Sequence, residues 1–316
     1  MSGLRVQSTG LRTTLQDEGR RHGQHLGLAV GGAADLHAFR WANKLLDNPR
    51  GSACLEVLMG GFSAEATGPM SIAVTGAAGR LAINGRRHSL WRTHALQAGD
   101  TISLESPTSG LLNYIAVRGG WLGKCLCQSH AMTPREGLPG LSAVESGQLI
   151  EAASTDIAPH RQMPETFLPD YTAPLTLNVI PGYQYSAFSH EARRTLTTAP
   201  YTITQQIDRM GYRLSGTDID VPGMTLLSEG IALGSIQVPA DGQPIVLLND
   251  RQTMGGYPKI GTVAALDCSR LCQRGPDTEV RFRFAELANV QCERVVFEAF
   301  FARTTWNTDG KALIWP

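Results

Sequence analysis

From Leu55 to Val117 the chain is written in short runs that set large apolar side chains between others, and glycine or proline cuts them off. Leu55-Glu56-Val57-Leu58-Met59 ends at Gly60-Gly61, and further runs follow at Ser71 to Thr75, Arg80 to Asn84, Thr101 to Glu105 and Leu112 to Val117. Runs this short suit strands better than helices, and a period of two puts alternate side chains on one face of a strand. Turns at roughly 8–12-residue intervals are the cadence of a β-sandwich or barrel. One helix interrupts the pattern. Asp35 is placed to cap it, Ala38, Phe39, Ala42, Leu45 and Leu46 recur on one helical face, and Asn48-Pro49 stops it.

The pattern divides the chain into two β-rich halves. Residues 1–150 form the first, and Pro159, Pro164, Pro169 and Pro174 mark 151–174 as a linker. The second half, 175–316, resumes with strand signals at Leu175 to Ile180, Tyr201 to Gln205, Ile231 to Val238, Pro244 to Leu248 and Glu279 to Phe284. Ser189 to Leu196 reads as a short helix capped by Ser189. Ala285 to Arg303 reads as the longest helix, with Leu287, Val290, Val295, Val296 and Phe300 expected to pack one face onto the sheet. Glycine-containing turns launch alternating strands at Ala98 to Leu104, Ser146 to Ile150 and Gly275 to Phe282.

Composition narrows the function. Hydrophobic residues make up 42% of the chain, enough to fill a core, and the formal net charge is zero. That balance argues against nucleic acid as the main partner, which calls for a concentrated positive field. No run approaches the roughly 18 apolar residues of a membrane span. The first residues lack the apolar segment of a signal peptide, so the expectation is a cytoplasmic protein. The six cysteines do not match paired zinc-site spacing and read as buried free thiols. The eight histidines are scattered, so no metal ligands are nominated.

Two stretches of the second half carry chemistry. Gln205 to Leu214 places Gln205, Asp208, Arg209, Tyr212 and Arg213 around Gly211, and an arginine fork there suits a carboxylate or phosphate. The alternative is a solvated hairpin with a surface ion pair. The second stretch begins at Gln243 and delivers, beyond an apolar strand, Asn249, Asp250, Arg251, Gln252, Gly255, Gly256, Tyr257 and Lys259. Polar residues crowded at a strand end on a rigid scaffold are where binding sites tend to sit. In the first half, Thr9 to Arg20 reads as a polar loop containing Gln16 and Asp17. It leads toward Gly31-Gly32, whose amides at a helix entry suit either an anion or a simple turn.

These same stretches carry a family resemblance. The core T-x-x-Q-D-x-G of Gly10 to Gly19, Gly31-Gly32-Ala33-Ala34-Asp35, Leu55-Glu56, Thr75-Gly76-Ala77, Asp208 to Leu214, Gly234 to Pro239 and Gly242 to Ile260 occur in one order. The chain thereby resembles the allophanate hydrolase subunit 2 family, also described as biotin-dependent carboxyltransferase or KipA-like. The resemblance implies a mainly β fold with a few helices and cyclophilin-like β-barrels.

It further implies the C subunit of an ATP-dependent 5-oxoprolinase, which opens 5-oxoproline to glutamate with a KipI-like B subunit and a LamB/YcsF-like A subunit. In that picture Arg209 and Lys259 hold carboxylate or phosphoryl oxygens and Asp250 acts as base or orienter. Gln252 and Tyr257 supply hydrogen bonds, and Gln205, Asp208, Tyr212, Gln243, Asn249, Arg251, Gly255, Gly256, Gln16 and Asp17 line the substrate. No familiar ATP loop is present, so the resemblance leaves the nucleotide to an unusual site or to a partner. Two alternatives stay open. One is carboxyl transfer to urea or another amide from biotin on a separate carrier, since no methionine here is followed by lysine. The other is a non-catalytic KipA-like regulator of an inhibitory partner. The chain departs from the family pattern at Cys127 to Gly140, and Gly182-Tyr183-Gln184 stands where the family carries Gly-Pro-Gln.

Overall fold

A computed structural model describes residues 2–223 and 226–313; Met1, Met224, Thr225 and residues 314–316, which the division into 1–150 and 175–316 included, lie outside the described residues. The chain forms two units. One comprises Met1–Arg21, Gly31–Thr172 and Glu298–Pro316, and the other His22–Val30 and Ala173–Phe297. The proline-rich stretch runs with the first unit as far as Thr172. Its backbone is bonded there through Met163 N–H to the Trp91 carbonyl and Thr93 N–H to the Arg161 carbonyl, each at 2.9 Å.

The first unit holds strands β1 (Gly3–Thr9), β2 (Arg12–Gln16), β3 (Cys54–Leu58), β4 (Phe62–Ala66), β5 (Met70–Ala78), β6 (Leu81–Ile83), β7 (Arg86–His88), β8 (Arg92–Leu96), β9 (Thr101–Leu104), β10 (Ser109–Val117) and β11 (Leu149–Glu151). They make a six-stranded sheet in the order β11-β1-β4-β9-β6-β7 and a five-stranded sheet in the order β2-β3-β10-β5-β8. Leu4, Val6, Ala64 and Ile102 from one sheet and Leu55, Val57, Ile72 and Ile115 from the other share one buried cluster. Alternation on facing strands has done what it predicts. Helix α1 (Leu36–Leu45) packs on the second sheet, and its cap is the one expected, with the Asp35 carboxylate accepting from Ala38 N–H at 3.1 Å.

Strand β2 corrects the reading of Thr9 to Arg20 as a loop. Arg12 to Gln16 pairs in register with β3, and Thr13, Thr14 and Gln16 are buried despite being polar. Their polar atoms are met internally, which periodicity cannot foresee. Gln16 Nε2 donates to the Met132 carbonyl at 2.8 Å, and its Oε1 accepts from Gly32 N–H at 3.0 Å.

The second unit is built on β12 (Leu175–Pro181), β13 (Tyr201–Ile207), β14 (Gly211–Gly216), β15 (Glu229–Gly230), β16 (Ser235–Gln237), β17 (Ile245–Leu247), β18 (Met254–Gly255), β19 (Lys259–Val263) and β20 (Glu279–Phe284). Seven of these close into a barrel in the order β12-β19-β16-β17-β14-β13-β20, while β15 and β18 pair with each other as a flap. The mainly β fold with a barrel is as expected. Helix α2 (His190–Thr198) takes Ser189 as its cap, the hydroxyl accepting from Ala192 N–H at 3.0 Å. The strand expected over Ile231 to Val238 shrinks to β16, because Gly234 takes φ +80° and turns the chain first. Helix α3 (Ala265–Leu271) follows β19.

Helix α4 (Leu287–Arg303) forms as expected, but it does not lay one apolar face on a sheet. Leu287, Val295 and Val296 are 53%, 68% and 62% exposed. At about 3.6 residues per turn these residues and Phe300 point in different directions, so they never made one stripe. Its last turn packs instead through aromatic edges, with Phe300 and Phe301 at 5.8 and 5.5 Å from Trp41 between ring centroids. The cysteines are also corrected in part. Cys54, Cys268 and Cys272 are buried free thiols, whereas Cys125 and Cys292 are exposed. Burial pushes the Cys268 thiol up to about 12.

Candidate functional site

Lys259 is placed by a slip in the barrel. Ser235 faces Thr262 and Ile236 faces Gly261, but Gln237 faces Lys259, so one residue of β19 is left over at the bulge. Without the slip Gln237 would face Ile260. Bulges re-aim side chains in this way, and here the result sets a lysine opposite a glutamine, both buried, at 8% and 2% exposure.

Polar side chains gather on Lys259. Lys259 Nζ forms an ion pair with Glu229 on the flap. Glu229 also accepts from the Tyr183 hydroxyl and, at 2.8 Å, from Gln184 Nε2. Gln184 is itself buried, and its Oε1 accepts from Lys259 N–H at 2.7 Å. The flap register puts Glu229 opposite Gly255. A side chain on Gly255 would start 3.0 Å from both Gln237 Nε2 and Gln252 Nε2. Gln237, Lys259, Glu229 and Gly255 therefore close a ring of contacts, and in that ring the buried Gln237 Nε2 has no hydrogen-bond partner. An unmet buried donor is rare in native proteins, and one beside an ion pair and a second carboxamide suits an oxygen acceptor from a ligand.

Arg209 and Asp250 make a separate, closed pair. Arg209 Nε and Nη2 each donate to the Asp250 carboxylate at 2.9 Å, and both residues are buried. Arg251 is also buried, and its guanidinium spans the Ile231 and Leu248 carbonyls at 3.0 and 3.2 Å. Burial pushes the Arg251 pKa down. The structure thus gives these three residues partners within the protein.

The other sequence candidates fall in several places. Gln252 lies exposed just before β18, Gly256 and Tyr257 lie exposed along the turn between the flap and β19, and half-buried Asn249 precedes Asp250. Asp208 caps the β13–β14 turn, accepting from Met210 N–H at 2.7 Å, and Gln205 is exposed on β13. Tyr212 is buried with its hydroxyl on the Cys272 carbonyl at 3.2 Å. Gln243 precedes β17 and binds the Gly216 backbone, Oε1 accepting from N–H at 2.8 Å. In the first unit, the Asp17 carboxylate accepts from Gly19 N–H, the Ser129 hydroxyl and His130 N–H at 2.8, 2.6 and 2.6 Å. Gln16 and Asp17 are buried ties between loops of that unit.

Three residues of the site were not nominated from sequence: Gln237 and Glu229 of the ring, and Gln184, which bonds both Glu229 and Lys259. Gln237 carried a signal, a polar residue set between Ile236 and Val238. Gln184 carried one too, as the retained residue of a departed motif. Glu229, in an aperiodic loop, carried none. Among the described residues no group of three or more His, Cys, Asp or Glu is placed to hold a metal ion. None of the described helices is long and apolar enough to cross a membrane.

The family model described as carboxyltransferase domain, subdomain A and B, matches residues 26–284. The chain is similar to the C subunit of the Escherichia coli 5-oxoprolinase, at 29% identity over 96% of this chain and 98% of that one. It is 27% identical to a putative urea carboxylase of Emericella nidulans over 96% of this chain but only 26% of the relative. Among solved structures, that of TTHA0988 superposes with a TM-score of 0.80 at 31% identity, covering 90% of this chain. The chain spans 56% of the length of that protein.

Proposed function

Because the chain belongs to the family described as carboxyltransferase domain, subdomain A and B, we propose that it is the C subunit of a 5-oxoprolinase, with its small-molecule site at the Lys259–Glu229–Gln237 ring. The observation that carries this reading is the end-to-end match to a relative of that name, whereas the urea carboxylase match occupies a minor part of its relative.

The ring has the chemistry the reading needs. A lactam offers a carbonyl acceptor and an N–H donor, and the carboxamides of Gln237 and Gln184 offer the complements. Gln237 Nε2 is the donor still unmet, and aimed at a lactam oxygen it would favour charge building there as the ring opens. Lys259 holds a carboxylate beside it, and burial strengthens both contacts. Arg209 and Asp250 are read as a brace rather than as ligand and base, since each already satisfies the other.

ATP would supply the phosphoryl group that turns the lactam oxygen into a leaving group. The residues of this unit do not fit a triphosphate. Lys259, Arg209, Arg251 and Arg213 are the cations of the candidate stretches, and they are committed to Glu229, Asp250, backbone carbonyls and Asp241. The nucleotide is therefore assigned to a partner, with a KipI-like B subunit and a LamB/YcsF-like A subunit as the proposed assembly in the cytoplasm.

The test is reconstitution. Purified with both partners, the chain should release glutamate from 5-oxoproline only when ATP is present, and Lys259→Ala should abolish turnover while the complex still assembles. No turnover from the intact complex, together with capture of a biotinylated carrier protein, would replace this reading with carboxyl transfer. A stable complex inert toward every lactam and amide would leave the regulator.

A further inference from the structure

Three donors at the site are already occupied by a carboxylate, and it is the protein's own. Glu229 takes the Lys259 ammonium, the Tyr183 hydroxyl and Gln184 Nε2. An ammonium, a phenol and an amide converging on one carboxylate make a receptor for that group. The receptor and its occupant are built differently. Lys259 stands on a barrel strand with a side chain 10% exposed, whereas Glu229 stands on a two-residue flap strand with a side chain 31% exposed. Gln237 Nε2 waits beside them, buried and unmet.

We infer that Glu229 is a plug: the site takes a small carboxylic acid whose carboxylate displaces Glu229 from Lys259, Gln184 and Tyr183, while a neighbouring carbonyl of the ligand accepts from Gln237 Nε2. The exchange is electrostatically feasible because Lys259 keeps an anion throughout and no buried charge is left alone. Glu229 leaves toward water, on the flap side. The choice of a lactam acid as ligand rests on the function proposed above, while the carboxylate receptor rests on the geometry alone.

Calorimetry on the full chain tests the plug with 5-oxoproline, its carboxamide and 2-pyrrolidinone. The acid should bind more tightly than either uncharged lactam. Glu229→Gln removes the competing charge and should tighten the acid by roughly tenfold, leaving the uncharged lactams unchanged. Lys259→Gln should lose the preference for the acid. Binding of all three ligands with equal affinity would overturn the inference, as would a Glu229→Gln chain that binds the acid no better than the unaltered one. The two readings fail separately. Active 5-oxoprolinase complex with an unchanged Glu229→Gln affinity sinks the plug and spares the function. A complex inert on 5-oxoproline, with Glu229→Gln tightening glutarate or acetate, sinks the function and spares the plug.

Discussion

Arg209 and Asp250 stand 41 positions apart in sequence and meet in a two-point bond, Nε to Oδ2 and Nη2 to Oδ1, both at 2.9 Å. The backbone repeats the contact, with Asp250 N–H donating to the Arg209 carbonyl at 2.8 Å. The pair thus ties the β13–β14 turn to the chain leaving β17. Removing one partner strands a buried charge, and such losses run to about 3–5 kcal/mol. Arg209→Ala and Asp250→Ala should each lower unfolding free energy by about that much in urea titrations. An Arg209→Met/Asp250→Leu double variant should lose less than either single change. Additive losses across the double-variant cycle would mean that the contact is not a coupled pair.

His94 gives the first unit a pH dependence. It is 7% exposed, its ring bonds the Ser89 carbonyl at 2.9 Å, and burial lowers its pKa from 6.5 to about 4. Arg92, His88 and His160 add to the same direction. The unfolded chain therefore binds a proton between pH 6.5 and 4 that the folded chain refuses, so stability falls as pH drops through that window and levels off below it. The full difference is on the order of 3 kcal/mol. Denaturation midpoints at about pH 7 and about pH 4.5 should show the loss, and His94→Gln should flatten it. A His94→Gln chain with the same pH slope as the unaltered one would assign the loss to other groups.

What the sequence announced and what it hid divide along physical lines. Asp35 and Ser189 were readable as caps because a cap is a local bond between residues close in sequence. Strands such as β3, β5, β10, β12 and β20 were readable because alternation is local too, whereas β2 was read as a loop because its buried residues are polar. The ring at Lys259 was half legible. Crowding of polar residues after β17 pointed to Gly255 and Lys259, but Glu229, Gln184 and Gln237 come from three other segments and join only through barrel closure and a bulge. Arg209 and Asp250 were found as reactive residue types and not as partners, since nothing local records a contact across 41 positions. Exposure of Val295 and Val296 on α4 was legible in part: at about 3.6 residues per turn the apolar residues scatter around the helix, and only which of them the fold covers was hidden.

Asp17 should be a stability residue of the first unit. Its carboxylate gathers three donors, two of them backbone amides, and its own residue is 5% exposed. Asp17→Ala strands those donors, and unmet buried groups cost about 1–3 kcal/mol each. Unfolding free energy should fall by at least about 3 kcal/mol, and proteolysis should open the segment around Ser129 and His130 first. Intact protection of that segment in Asp17→Ala would show that the carboxylate does not hold it.

Two glycines separate folding from binding in the barrel unit. Gly234 has φ +80°, and an added Cβ would stand 2.3 Å from the Val263 carbonyl oxygen, which is backbone and cannot give way. Gly234→Ala should therefore lose roughly 3 kcal/mol of stability or fail to fold. Gly255 has no left-handed constraint. Its added Cβ would meet Ile231 Cδ1 at 2.7 Å and the Gln237 and Gln252 amide nitrogens at 3.0 Å, all side-chain ends that can move. Gly255→Ala should fold with a melting temperature within a few degrees of the unaltered chain, but it displaces the donor assigned to the ligand carbonyl. In the reconstituted complex KM for 5-oxoproline should rise about tenfold, the equivalent of about 1.4 kcal/mol in binding. A Gly255→Ala complex with unchanged KM would remove Gln237 from the site. Equal destabilisation by the two substitutions would mean that the ring serves folding and not recognition.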